Sequence, residues 1–153
     1  ITQRLPIKLM IEITENQTLT ITPAIKELIR SLRNRGVLFA LDDFGTGYAN
    51  LCYLNELDLD VIKIDKTFIK AIKEVEQHIP MLESIIHLSG LLGLRMVAEG
   101  VEYGYQQQWL RKNNVDYLQG YQFLPPVMFD DFMRFYKQSV GLFESASDST
   151  FSA

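Results

Sequence analysis

Five short apolar stretches, each ending in a polar residue, constrain this chain more than any other feature of its 153 residues. The polar ends are Glu12, Asp42, Lys63, Glu99 and Gln119, separated by 30, 21, 36 and 20 positions. Each interval fits one strand, one helix and their loops, so the pattern predicts βα units in series. Strands are expected over Ile7 to Ile13, Val37 to Leu41, Val61 to Asp65, Leu94 to Gly100 and Tyr117 to Gly120. Functional side chains at strand C-termini describe either an open doubly wound sheet or part of a (β/α)8 barrel. A full barrel needs about 250 residues, so five units form an incomplete one.

The helices follow from periodicity and punctuation. Thr22-Pro23 supplies an N-cap and a first-turn proline, and Ile25, Leu28, Ile29 and Leu32 form one packed face before Gly36 stops the helix. A short helical stretch is expected around Leu51 to Leu57, an apolar helix over Ile79 to Leu92, and a polar helix around Gln106 to Lys112. Pro125-Pro126 breaks the chain, and Phe129, Phe132, Met133 and Tyr136 mark one face of a last helix. The domain is expected to span residues 1–140, with 141–153 as a flexible Ser/Thr-rich tail.

The stretch from Leu41 to Tyr48 carries the chemistry. An apolar run, Val37-Leu38-Phe39-Ala40-Leu41, ends in Asp42-Asp43 and the turn Gly45-Thr46-Gly47. Paired acids at a strand end need neutralising, and a divalent cation is a common means; the plainer reading is a capped turn. Lys63 sits between isoleucines, where an unpaired ammonium is costly, so it requires an anionic partner.

Composition removes several alternatives. Fifteen Lys and Arg against nineteen Asp and Glu give a net charge of −4, which argues against a basic surface for polymeric nucleic acid. Cys52 is the single cysteine, so no internal disulfide forms and a reducing, cytoplasmic setting is expected. No apolar run approaches the roughly 20 residues of a membrane span, so no membrane contact by this segment is expected. The chain opens on Ile1 rather than methionine and is read as part of a longer protein, whose membrane attachment stays open. His78 and His87 are nine positions apart and do not share a helical face, and Trp109 reads as core. Neither a Gly-x-Gly-x-x-Gly loop nor a Gly-Lys-Ser/Thr phosphate loop follows any strand.

Taken in order, Glu12-Ile13-Thr14-Glu15, Asp42 to Tyr48, Lys63-Ile64-Asp65, Glu99-Gly100-Val101-Glu102 and Gln119-Gly120-Tyr121 resemble the motifs of bacterial EAL-domain cyclic di-GMP phosphodiesterases. The resemblance runs from about Leu9 to Pro126. It implies the C-terminal five βα units of an EAL-type (β/α)8 TIM-like barrel that has one antiparallel strand, with two Mg²⁺ or Mn²⁺ ions at its mouth. By resemblance Glu12 binds one ion, Asp42 bridges both, and Asp43 with Glu99 binds the second. Lys63 orients the attacking water and offsets phosphate charge. Glu99 is alternatively a general base, a role that suits it less well than metal ligation. Gln119 matches a strand-end amide of the site, and Glu15 matches the acid that anchors the Gly45-Thr46-Gly47 loop.

The implied partner is cyclic di-GMP, hydrolysed at one phosphodiester bond to linear pGpG. Ala49-Asn50 depart from the serines usual in the family. The Glu-Ala-Leu motif, an asparagine ligand and a substrate-gripping arginine belong upstream of Ile1. Residues 1–153 alone are therefore expected to be inactive, and either to associate, as a homodimer or otherwise, through open sheet edges at the strands of Glu12 and Gln119 or to remain only loosely packed. The rivals are a non-hydrolysing EAL-fold sensor or docking module and a receiver-like open sheet.

Overall fold

The computed structural model describes residues 8–14, 20–45, 54 and 56–147, with the backbone alone given for 139–147. These divide into two compact units, Ile1–Gln122 and Phe123–Ala153.

The first unit is a five-stranded sheet: β1 (Met10–Thr14), β2 (Leu38–Phe44), β3 (Val61–Ile64), β4 (Arg95–Ala98) and β5 (Tyr117–Leu118). Its order is β1-β2-β3-β4-β5, and every pairing is parallel. A doubly wound sheet reverses strand order at a switch point, whereas sequential order without reversal is how a barrel is laid down. The sheet is therefore five consecutive units of a TIM-like barrel. The antiparallel strand implied by the resemblance is not among the described residues.

Register and alternation sort the side chains onto two faces. Glu12 is level with Ala40, Ala40 with Val61, and Val61 with Arg95. Side chains alternate along a strand, so Glu12, Asp42, Lys63 and, beyond the end of β4, Glu99 fall on the face shared by Ala40 and Val61. The opposite face presents Ile11, Ile13, Phe39, Leu41, Ile62, Ile64, Met96, Ala98 and Leu118, which join the apolar core. The chemistry-bearing residues thus share the face turned away from that core.

Helices supply the rest of the core. In α1 (Pro23–Arg33) the Thr22 hydroxyl accepts from the Ile25 N–H, and Ile25, Ile29 and Leu32 pack inward. Leu28 does not join them, being 58% exposed. At about 100° per residue it lies well round the helix from Ile29, on the rim of the apolar stripe. A four-residue helix that periodicity does not reveal, α2 (Lys66–Ile69), follows β3, and Asp65 caps it rather than ending the strand. Next come α3 (Pro80–Leu91) and α4 (Gly104–Lys112), the latter burying Trp109 and Leu110. The stretch expected as a helix around Leu51 to Leu57 lies mostly outside the described residues.

The second unit contains α5 (Phe129–Ser147). This helix extends past Val140, to Ser147. The unit boundary falls at Phe123, ahead of Pro125-Pro126.

At the N-terminal ends of the strands Asp60 acts as a tie. Its Oδ2 accepts from Phe39 N–H at 2.9 Å and its Oδ1 from Arg33 Nη2 at 2.7 Å, while its carbonyl accepts from Arg95 N–H at 3.1 Å. One residue so joins the starts of β2, β3 and β4, which serves stability at the end of the sheet away from the acids.

Candidate metal centre

Three strands and the residue after a fourth deliver one cluster. The Lys63 ammonium lies 2.8 Å from Glu12 Oε2, 2.9 Å from Asp42 Oδ1 and 2.8 Å from Glu99 Oε1. Its side chain is only 8% exposed. Burial works against the charged form, but the bonds to Glu12, Glu99 and Asp42 outweigh it and hold the pKa above the ordinary lysine value. Lys63 is thus a permanent cation at neutral pH, with three carboxylates as the anionic partners its surroundings demand.

Asp43 joins the cluster through a backbone irregularity. Leu41 pairs with Ile62 and Phe44 with Ile64, so two residues, Asp42 and Asp43, stand opposite Lys63 alone. This is a β-bulge, and Asp43 adopts φ +55° within it. In a regular strand adjacent side chains point to opposite faces; here oxygens of Asp42, Asp43 and Glu99 lie within 4.8 Å of one another. The bulge also returns Phe44 to the core face, where it is buried. The strand expected to end at Leu41 therefore continues through both acids to Phe44.

The donor set suits a hard divalent cation. All three clustered groups offer carboxylate oxygen, the ligand type preferred by Mg²⁺ and Mn²⁺. Asp42 Oδ1 is buried, and its partner is the Lys63 ammonium at 2.9 Å.

The remaining site expectations fall as follows. Gln119 directly follows β5, its N–H bonded to Ala98 O at 2.8 Å, and its exposed side-chain amide makes no hydrogen bond among the described residues. Gly45 has φ +93°, and a Cβ there would meet the Phe68 ring at 2.8 Å, so the turn after the acids requires glycine. Glu15, Thr46 and Gly47 lie outside the described residues. A cavity of about 320 Å³ lined by Arg33, Gly36, Leu38 and Asp60 sits at the other end of the strands and holds none of these acids.

A sequentially ordered parallel sheet with a carboxylate cluster at its strand C-termini defines a barrel-type protein whose candidate site lies at that end. Residues 2–126 match the EAL domain, and the chain belongs to that family. It is 42% identical over 123 residues to "Cyclic di-GMP phosphodiesterase PdeL" of Escherichia coli K12, a match covering 79% of this chain and 33% of that protein. Among solved structures, the EAL domain of Mycobacterium smegmatis DcpA aligns with a TM-score of 0.75 at 30% identity, covering 84% of this chain and 58% of that one. Klebsiella pneumoniae BlrP1, solved as a manganese/cyclic di-GMP complex, aligns with a TM-score of 0.61 at 31% identity, covering 74% and 29%. The chain thus spans about a third of the length of PdeL. Among the described residues no helix is long and apolar enough to cross a membrane.

Proposed function

We propose that this chain is the C-terminal part of an EAL domain that hydrolyses cyclic di-GMP to linear pGpG with the help of two Mg²⁺ or Mn²⁺ ions. The observation that carries the reading is the convergence of Asp42, Asp43 and Glu99, whose carboxylate oxygens lie within 4.8 Å of one another. The name of PdeL and the ligands of the BlrP1 complex support the same substrate and a divalent metal.

In this reading Glu12 and Asp42 hold one ion, and Asp42, Asp43 and Glu99 hold the other. Bound ions of this kind lower the pKa of water and stabilise charge on phosphoryl oxygens. Glu99 pairs with the ammonium and has an oxygen within 4.8 Å of oxygens of both aspartates, which favours a ligand over a general base. Lys63 serves as a donor and a counter-charge to phosphate. An ammonium has three N–H groups and Lys63 faces three carboxylates. To reach a substrate oxygen it must release one, and Glu12, 40% exposed, is the partner most open to solvent. Gln119, directly after β5, is a candidate substrate contact, and Glu15 is read as the acid that anchors the Gly45-Thr46-Gly47 loop. Cyclic di-GMP is the partner in this reading.

The test is turnover of cyclic di-GMP, in Mg²⁺ or Mn²⁺, by an intact EAL domain that contains this chain, since residues 1–153 alone are expected to be inactive. Asp42→Asn is expected to abolish hydrolysis and weaken Mn²⁺ binding; unchanged turnover overturns the reading. Ca²⁺ is expected to substitute poorly, because it prefers more ligands at longer distances.

A further inference from the structure

Gln106 is polar, lies on α4, and is 2% exposed, a degree of burial that a glutamine reaches only with its amide satisfied. Its Oε1 accepts from Glu102 N–H at 2.8 Å and from Tyr103 N–H at 3.0 Å. Its Nε2 donates to Ile69 O at 3.1 Å. Ile69 is the last residue of α2, the helix that follows Lys63, and Glu102 is three residues beyond Glu99. A single buried amide therefore joins the segment that carries Glu99 to the helix behind Lys63.

The rest of that segment is held just as closely. Glu99 N–H donates to Ile64 O at 3.1 Å, Val101 N–H to Gln119 O at 3.0 Å, and Gln122 N–H to Val101 O at 3.0 Å. Gly100, at φ +68°, packs so tightly that a Cβ would lie 2.7 Å from Lys66 Cβ. The Gln106 amide secures the last two N–H groups of this run and anchors them across to α2. Glu99 makes a 2.8 Å contact with Lys63, and a displacement of even an ångström would break it.

We propose that Gln106 is a positioning residue for the metal centre: its amide fixes the Glu99–Tyr103 segment against α2 and so sets the Glu99 carboxylate relative to Lys63, Asp42 and Asp43. This rests on the function proposed above. The alternative is that Gln106 only caps α4, a role that needs its Oε1 but not its Nε2.

Two variants separate these roles. Gln106→Glu keeps oxygen acceptors for the Glu102 and Tyr103 amides but turns a carboxylate oxygen on Ile69 O, whereas Gln106→Leu removes both halves. Both are measured in an intact EAL domain that contains this chain, for Mn²⁺ affinity by calorimetry, for kcat and KM on cyclic di-GMP, and for hydrogen exchange at Val101 to Tyr103. The expected result for Gln106→Glu is about tenfold weaker Mn²⁺ binding, the scale of a lost supporting contact to a ligand. It comes with a lower kcat, little change in KM and faster exchange at those amides. Gly100→Ala, which disturbs the same segment from the Lys66 side, is expected to give the same signature, and it stands in if the Gln106 variants do not fold. Wild-type Mn²⁺ affinity and kcat in Gln106→Glu overturn the inference and leave only the cap. If Gln106→Glu does not fold, wild-type affinity in Gly100→Ala does the same. An intact wild-type domain that neither binds Mn²⁺ nor hydrolyses cyclic di-GMP overturns the proposed function itself, and the inference with it.

Discussion

Asp42 and Asp43, neighbours in the chain, bring their carboxylates to the same side of the sheet because both stand opposite Lys63 in a bulge that leaves Asp43 at φ +55°. Aspartate is among the few residues that adopt this conformation at small cost, since its short polar side chain can bond locally. The same residue therefore supplies both the backbone turn and a cation ligand of the proposed centre.

These two roles separate by substitution. Asp43→Asn is expected to keep the bulge, because Asn tolerates the left-handed region, and to weaken Mn²⁺ binding by at least about tenfold. Asp43→Val forces a β-branched side chain into the same conformation and is expected to cost a further 1–2 kcal/mol or so of stability. Calorimetric Mn²⁺ titration and thermal melting check both effects. Wild-type affinity in Asp43→Asn would remove Asp43 from the ligand set.

Lys63 offers a test that needs no substrate. Lys63→Met leaves Glu12, Asp42 and Glu99 together without their cation, and breaking such a buried arrangement is expected to cost about 3 kcal/mol in urea unfolding at neutral pH. The pKa of Lys63 is raised in the folded state, so its contribution is complete below the ordinary lysine value of 10.5 and is lost only as pH climbs beyond that. The raised lysine pKa thus adds no slope to the gap between wild type and variant at neutral and mildly alkaline pH. A double-mutant cycle with Glu99→Gln should give a coupling of about 1 kcal/mol or more, and zero coupling would dismiss the pair.

The strand-end placement of the candidate residues was readable in the chain because strand alternation and strand-end chemistry are local patterns. Glu12, Asp42, Lys63 and Glu99 each follow or interrupt an apolar run, and the need of Lys63 for an anion follows from its isoleucine neighbours. The bulge was not readable, since alternation says nothing about one residue at positive φ, and β2 was accordingly expected to stop at Leu41. Gln106 was hidden for a related reason. Its spacing from Tyr103 is that of a capping box, but a tyrosine stands where Ser or Thr would give the signal, and the contact with Ile69 is 37 residues away in sequence. Asp60 and the four-residue α2 likewise depend on partners that only the assembled sheet supplies.

Asp65 yields a prediction in acid. It is N-cap to α2, its Oδ1 accepting from Thr67 N–H at 2.8 Å. Burial raises its pKa, but the hydrogen bonds from Thr67 and Lys66, together with the Lys66 charge, outweigh it and leave the pKa below the ordinary 3.8. A carboxylate whose folded pKa is depressed contributes stability that is present above its unfolded value and lost as pH falls through the folded one. Asp65→Ala is therefore expected to cost about 1 kcal/mol at neutral pH, the usual scale of a lost N-cap. The ionic part of that cost should fade as pH drops below 3.8 and through the lower folded value. Urea unfolding of wild type and variant at neutral pH and in acid measures the difference. A gap that stays constant into acid would mean that the cap acts without its charge, and a gap that widens would reverse the sign of the shift.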